Sequence, residues 1–472
     1  MQPGRGEPEA GGTNPHAHVR DFTASARMPE VSIASARGTR FLQEVSVTFG
    51  SRVLGLAIAI LTSIVAARFL GPGGKGVLAV VGLLSSVAIQ LGDLGMHAST
   101  TYFTARDAGA LPRIAGLSLW IAAVMGILLS FLILGVAWLF PHSLNEVPGQ
   151  FLLIALALTP FGLVSLYYQN ILLGMQRILA FNLVDLGGKG AGLVAAVVIL
   201  WGLGLGVWEL LLTGLAISAG TSFVTVWLAL RGSRLVLAID RGLAREMLRY
   251  GMTFYLACLF AYLVIRIDLL LVNYFSGVTE AGIYSVSVSF ADLLCMLPIS
   301  IGTVLFPRVA CAQGRDGEMT LKVCRHSVVL LAGVCLLTAL LARPLILFLY
   351  GAAFAGATLP MLWLLPGIFL LSLESILAND LAGRGYPRVL VAYWLLGLLV
   401  NVGLNLLAIP RWGATGAAAT STVTYGLMFA LVFRYFLAES GSSWHRALLL
   451  QPTELQALYR SVRRLLAFKG AR

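Results

Sequence analysis

Three cations and three acids stand in stretches of sequence that are otherwise apolar: Arg52, Lys189 and Arg266, with Asp268, Asp292 and Glu374. A guanidinium stays charged at any working pH and offers a planar fork of N–H donors to phosphate oxygens, so embedded arginines suit a phosphate or diphosphate ligand. A carboxylate in the same surroundings can balance an arginine or carry a coupling ion. A charge at the centre of a bilayer costs at least about 2.5 to 3.5 kcal/mol, so such a residue faces a wet cavity or a partner. Asp268 follows Arg266 by two positions, and residues two apart on a helix point about 200° away from one another, so each needs a separate partner. Asp185 precedes Lys189 by four, with the acid on the amino-terminal side, the favourable order for an internal pair. Asp93, in GDLG, reads as a pin for a helix end.

Other chemistry finds little support. The turns GPGGKG and SGVTEAG lack G-x-x-x-x-G-K-[ST] spacing and follow no strand, so they read as tight turns rather than phosphate loops. None of the six histidines is spaced with Cys, Asp or Glu for a metal or a catalytic dyad. Cys258, Cys295, Cys311, Cys324 and Cys335 show no C-x-x-C pairing, which argues against a zinc site or a disulfide framework. The expectation is no metal, no cofactor and no enzyme.

The elements that must position these residues are membrane helices. Only 11% of the 472 residues are charged and 58% are hydrophobic, against roughly 25% and 45–50% in soluble domains. A hydrocarbon core of about 30 Å takes about 20 apolar residues to cross as a helix. Twelve such stretches run approximately over 45–69, 76–96, 114–140, 151–173, 181–203 and 207–230, then 247–274, 281–306, 327–350, 359–377, 389–409 and 414–437. With the amino terminus in the cytoplasm, 25 of the 33 basic residues fall on the inner side. The outer loops and the outer ends of the spans then hold only Arg68, Lys75, Arg343 and Arg411. That bias follows the positive-inside rule and accounts for the net charge of +12 without nucleic acid.

Two spacings recur. F-x-G-x4-G-x3-V occurs at Phe69 and again 206 positions later at Phe275. G-x-x-R at Gly174 and Gly385 is each time followed 24 residues after the Arg by a Trp-Gly pair, Trp201-Gly202 and Trp412-Gly413. A duplicated and fused unit explains both, and fused repeats in a membrane favour a transporter with a site between the halves. The expected organisation is an all-α polytopic membrane protein with two pseudo-symmetric six-helix lobes, 41–232 and 233–438. Residues 1–40 form a disordered cytoplasmic tail with no cleavable signal peptide, and 439–472 a second cytoplasmic tail that reads as an amphipathic helix or a plain solvated segment.

Several strings carry a family resemblance. TFGSRVLGLAIAILTSIVAARFLGPGGKGVLAV with the DLGM at Asp93, Arg266 to Ala310, and Asn379 to Thr420 together resemble bacterial polysaccharide transporters, the O-antigen flippases and their relatives. SRVLG at Ser51 to Gly55 is similar to the first-helix motif of lipid II flippases, in which the arginine faces a central cationic cavity. The family often has fourteen spans, and this sequence supplies twelve. The resemblance implies a V-shaped exporter in the bacterial inner membrane, both termini cytoplasmic, that moves an undecaprenyl-pyrophosphate-linked oligosaccharide between leaflets. It implies Arg52 as a headgroup ligand, to which the embedded charges add Arg266 and Lys189, with Asp268, Asp292 and Glu374 for charge balance or ion coupling. Membrane lipids, H+ or Na+, and polysaccharide polymerase machinery are the other partners it brings in.

A cation-coupled multidrug antiporter of the same superfamily is the alternative, although embedded arginines weigh against cationic cargo. A membrane polymerase or ligase would need large periplasmic loops, and the longest outer loop here is about ten residues. A scaffold that kept the fold and lost the cavity is the remaining reading.

Overall fold

The computed structural model describes residues 35–139, 147–311, 317–384, 389–452 and 454. The chain divides into two units, Met1–Thr48 and Phe49–Arg472, and the packing below is that of the second. Among the described residues every regular element is helical: α1 (Ser35–Gly92), α2 (Met96–Arg106), α3 (Leu111–Leu139), α4 (Gly149–Gly174), α5 (Ile178–Ala196), α6 (Val207–Leu230), α7 (Arg241–Cys311), α8 (Gly317–Leu349), α9 (Thr358–Gly383), α10 (Val389–Ser440) and α11 (Trp444–Leu448).

Nine helices among the described residues are long and apolar enough to cross a membrane. Three of them are too long to cross once. The apolar parts of α1, α7 and α10 run for 45, 48 and 52 residues, or about 65 to 80 Å at 1.5 Å per residue, against a core of about 30 Å. Each is broken at one glycine with non-helical backbone: Gly71 (φ 66°), Gly277 (φ 85°) and Gly413 (φ 54°). A β-carbon makes this left-handed region costly, which is why glycine occupies all three positions. Counting the two limbs of each gives the twelve expected stretches. Lipid-facing surfaces carry large apolar side chains, including Trp138, Phe223 and Phe348, as a hydrocarbon surrounding permits.

The glycine-rich strings differ from expectation. The spacing predicted tight multi-residue turns, but helix resumes at once after Gly71 and after Gly277. Lys75, expected in an outer loop, therefore stands in the first turn of the second limb of α1. Beyond that limb the backbone is left-handed at Leu94 and Gly95 (φ 48° and 74°), and α2 forms a short helix of its own. Gly385 of the second G-x-x-R echo, Cys311 and most of the carboxy-terminal tail lie outside the residues described with side chains.

The repeated motif brings the two halves together. A β-carbon built on Gly76 falls 1.8 Å from the Val278 carbonyl oxygen, and one built on Gly282 falls 2.0 Å from the Pro72 carbonyl oxygen. Positions 76 and 282, like 72 and 278, are related by the same offset of 206, so the contact is exchanged as across a two-fold axis. Only a residue without a side chain permits backbones to approach this closely. Beside this seam Val77, Val80 and Val81 share a core with Phe151, Val272, Tyr284 and Ile409, so one side of the second limb of α1 is packed against both halves.

Elsewhere α4 packs on α2, α3 and α6, while α9 and α10 pack on α7 and α8 supports α9. The short α11 lies on α8, where the buried Arg325 pairs with Glu454 at 2.9 Å and donates to the Arg446 carbonyl. That ion pair fixes the start of the segment for which sequence left a plain solvated tail open.

Gly76→Ala and Gly282→Ala should each destabilise the protein by about 1 to 3 kcal/mol, because the obstacle is backbone and cannot swing aside. Gly82→Ala, with nothing within 4 Å of the new methyl, should be neutral or slightly stabilising. Thermal melts in detergent check the contrast, and equal effects at Gly76 and Gly82 would refute the seam.

Candidate functional site

Three helix limbs turn polar faces to one another around a cavity of ≈ 270 Å³. The second limb of α1 contributes Lys75, Ala79, Leu83 and Ser86, a run of i, i+4, i+8 and i+11 along one face. The limbs of α7 on either side of Gly277 contribute Tyr262, Ile265, Arg266 and Leu269, then Ser285, Val288, Ser289 and Asp292. Both α7 sets follow i, i+3, i+4, i+7, the spacing of one helix face. Asp268 also lines the cavity.

Arg266 and Asp292 form its central ion pair. The guanidinium donates from Nη2 to Asp292 Oδ1 at 3.0 Å and from both terminal nitrogens to Oδ2 at 3.1 Å. Neither side chain is sealed, with 28% and 39% of their surfaces exposed. The pair is thus open to whatever enters. Lys75 stands on the same wall and, among the described residues, has no ion-pair or hydrogen-bond partner. Asp268 is fully buried and held from three sides: Tyr284 donates its hydroxyl at 2.6 Å, Ser421 at 3.1 Å and the Leu269 N–H at 2.7 Å. Behind it Asn405 donates to Asn401 at 2.9 Å, and Thr420 donates to the Asn405 side-chain oxygen. This polar network ties α10 to α7 and keeps Asp268 from reaching Arg266, in keeping with the 200° argument.

The other expected site residues lie apart from this cavity. Arg52 is exposed on the first limb of α1 and, among the described residues, has no partner. Lys189 on α5 pairs with Asp185 at 2.7 Å, the internal pair expected from spacing. Its ammonium lies 3.2 Å from where a Gly55 β-carbon would be, so Lys189 reaches α1 one turn from Arg52 because residue 55 is glycine. Glu374 is buried on α9, with Oε1 unpartnered among the described residues. The six residues therefore divide into a cavity set (Arg266, Asp268, Asp292), a neighbouring pair (Arg52, Lys189) and an isolated acid. Lys75, Tyr262, Ser86, Ser285 and Ser289 are the polar cavity residues that sequence reasoning missed. The helical spacing of Lys75, Ala79 and Leu83 was available as a signal, but the string GPGGKG read as a loop.

The halves meet at two places, at either end of the second limb of α1. One end is the glycine seam. At the other, a β-carbon on Gly95 would fall 2.3 Å from the Gly251 carbonyl oxygen, and one on Gly251 2.6 Å from that of Gly95. Ser99 donates to the Met247 carbonyl at 2.6 Å and Tyr255 to that of Leu91 at 2.7 Å. Asp93 organises this end: it accepts the backbone N–H of Gly95 at 3.2 Å and of His97 at 3.0 Å, and bonds the His97 ring at Nδ1. It pins the start of α2, the role its sequence suggested.

The sequence profile of a family described as polysaccharide biosynthesis protein matches residues 65–358, more than half of the chain. The chain belongs to that family. An uncharacterized membrane protein of Methanocaldococcus jannaschii is 26% identical over 196 residues, 40% of this chain and 39% of that protein, so this match spans about two fifths of its relative's length. A multidrug resistance MATE family transporter of the MOP superfamily, inward-facing, superposes with a TM-score of 0.67 at 15% identity, covering 82% of this chain and 94% of the other. The lipid II flippase MurJ, inward closed, superposes at 0.66 with 12% identity, covering 84% and 87%. This family member accordingly has the fold of MOP-superfamily transporters and is a multi-pass membrane protein, as its composition required.

Arg266→Ala should lower the melting temperature more than the double variant Arg266→Ala/Asp292→Ala, because the single change strands a carboxylate that the double change removes. Purified protein in detergent checks the order, and a double variant less stable than the single would refute a pair that compensates charge. His97 titrates outside the spans. Its hydrogen bond to Asp93, and then the Asp93 charge, raise its pKa above 6.5 against the opposing pull of burial. A raised folded value stabilises the protein fully below the unfolded pKa, and that contribution is lost as pH rises through the folded value. His97→Gln should flatten the dependence of melting temperature on pH just above 6.5, and an unchanged profile would refute the coupling.

Proposed function

We propose that this protein is a flippase that moves an undecaprenyl-pyrophosphate-linked oligosaccharide, an O-antigen or other surface polysaccharide unit, across the bacterial cytoplasmic membrane by alternating access. The observation that carries the reading is the cavity, which is lined by a partly exposed arginine and by a lysine with no partner among the described residues. Membership of a polysaccharide biosynthesis family and a fold shared with a lipid II flippase support it. The guanidinium fork suits a diphosphate. An entering diphosphate meets Lys75 and competes with Asp292 for Arg266, and the displaced Asp292 is then free to take a proton or Na+. Glu374, buried with its Oε1 unpartnered among the described residues, is the second acid for such coupling. Asp268 balances the site's charge.

In this reading the lobes are 41–232 and 233–438, both tails are cytoplasmic, the Gly76/Gly282 seam faces outward and the Gly95/Gly251 contacts face inward. Opening one seam while the other holds is the alternating movement. Arg52 and Lys189 provide a first contact for the headgroup before it reaches Arg266. The product is presented to polysaccharide polymerase machinery. The acids Asp268 and Asp292 in the same cavity, with the MATE-like fold, favour one other reading, a cation-coupled multidrug antiporter.

Proteoliposomes carrying an undecaprenyl-pyrophosphate oligosaccharide in one leaflet distinguish the two. Protein-dependent exposure of the sugar to an external glycosidase is expected. It should be lost in Arg266→Ala and Arg52→Ala, and partly restored in Arg266→Lys, which supplies a point charge without the fork. Gradient-driven movement of small organic cations with no movement of the glycolipid would establish the antiporter instead.

A further inference from the structure

We propose that the groove between α5 and α6 seats the head-proximal isoprenoid chain of the lipid-linked substrate, with Arg177 and Arg231 holding its diphosphate; the inference rests on the flippase reading. The groove is a second cavity, of ≈ 400 Å³, remote from Arg266. Leu183, Val184, Gly187, Gly188 and Ala191 line it from α5, and Ile217, Gly220, Thr221, Val224 and Leu228 from α6. Each set follows one helix face, and glycines open the space: a β-carbon on Gly187 or Gly220 would meet nothing within 4 Å. The surroundings are lipid, since Leu179, Leu183, Phe223 and Trp227 are all exposed along these helices.

What distinguishes the groove from an ordinary lipid-facing crevice is the charge at one end. Arg177, just before α5, donates from Nη1 to the Leu228 carbonyl at 2.8 Å. Arg231, just after α6, lies over the Trp227 ring at 5.2 Å. Leu228 is itself the last groove residue on α6, so both guanidinium groups flank the same end. Among the described residues neither has a carboxylate partner, and each keeps N–H donors for phosphate oxygens. From Ile217 to Leu228 the groove extends about 16 Å, roughly half of the hydrocarbon core. A lipid with its phosphates at the arginines would run its chain from the membrane surface to the midplane. The groove is one helix pair wide and receives one chain, which matches a polyprenyl lipid rather than a two-chain phospholipid. The opposite side of α5 presents Lys189 to Gly55, one turn along α1 from Arg52, so a seated chain holds the headgroup on the helix that leads to those cations.

The test uses the full chain in phosphatidylcholine nanodiscs, with undecaprenyl diphosphate, geranyl diphosphate and phosphatidylglycerol as probes and native mass spectrometry as readout. Undecaprenyl diphosphate should bind in preference to the other two. Gly220→Phe, which fills open space, and Arg177→Gln/Arg231→Gln should each weaken it by roughly tenfold or more. A photoactivatable undecaprenyl diphosphate should label Val224 and Leu183 in the wild type, a result that needs no variant to fold. Equal binding of phosphatidylglycerol, unchanged affinity in Gly220→Phe, or labelling elsewhere would overturn the groove assignment. Transport separates this outcome from the flippase reading. Normal sugar translocation by Gly220→Phe with unchanged concentration dependence sinks the groove alone, whereas labelled groove residues in a wild type that moves no glycolipid sink the flippase reading alone.

Discussion

The architecture depends on a backbone approach that tolerates no side chain. Gly76 meets the Val278 carbonyl and Gly282 meets the Pro72 carbonyl, each residue answering its counterpart 206 positions away. Hydrocarbon supplies no hydrophobic drive to press helices together, so close van der Waals packing through small residues must do it. With the seam formed, the second limb of α1 is held against both limbs of α7, and the three polar faces that make the cavity confront one another. The left-handed glycines at 71 and 277 serve the same end, since they let two spans follow each other with almost no connecting residues.

The charges in the cavity follow from where the medium leaves them. Asp268 is buried and saturated by Tyr284, Ser421 and a backbone N–H, which makes it part of the scaffold between α7 and α10. Arg266 and Asp292 remain partly exposed, so their pairing is an interaction that a ligand can exchange. Lys75 adds a cation with no fixed partner among the described residues.

The two sets of contacts between the halves differ in chemistry. The glycine seam is backbone against backbone and has no titratable group in its contacts. The other set joins a glycine pair to hydroxyl donors and to Asp93, whose carboxylate caps α2 and binds His97. Separating the halves there exposes carbonyls of Leu91 and Met247 that Tyr255 and Ser99 now satisfy.

Hydropathy was sufficient for the all-helical class and the apolar stretches, because each depends on local composition and on the thickness of a bilayer, and the 206-residue echo marked the two copies of the motif that come into contact. Local spacing likewise foretold the Asp185–Lys189 pair and the failure of Arg266 to pair with Asp268, since both are consequences of helix geometry. Sequence alone did not reveal that Asp292, on the far side of a glycine break, is the partner of Arg266, or that Lys75 leaves its glycine-rich string to face the same cavity. Nor did it separate Arg52 and Lys189 from that cavity. Those relations are set by how limbs distant in sequence are rotated against one another, and the rotation is decided by the backbone contacts of Gly76, Gly282, Gly95 and Gly251, which exist only in the folded chain.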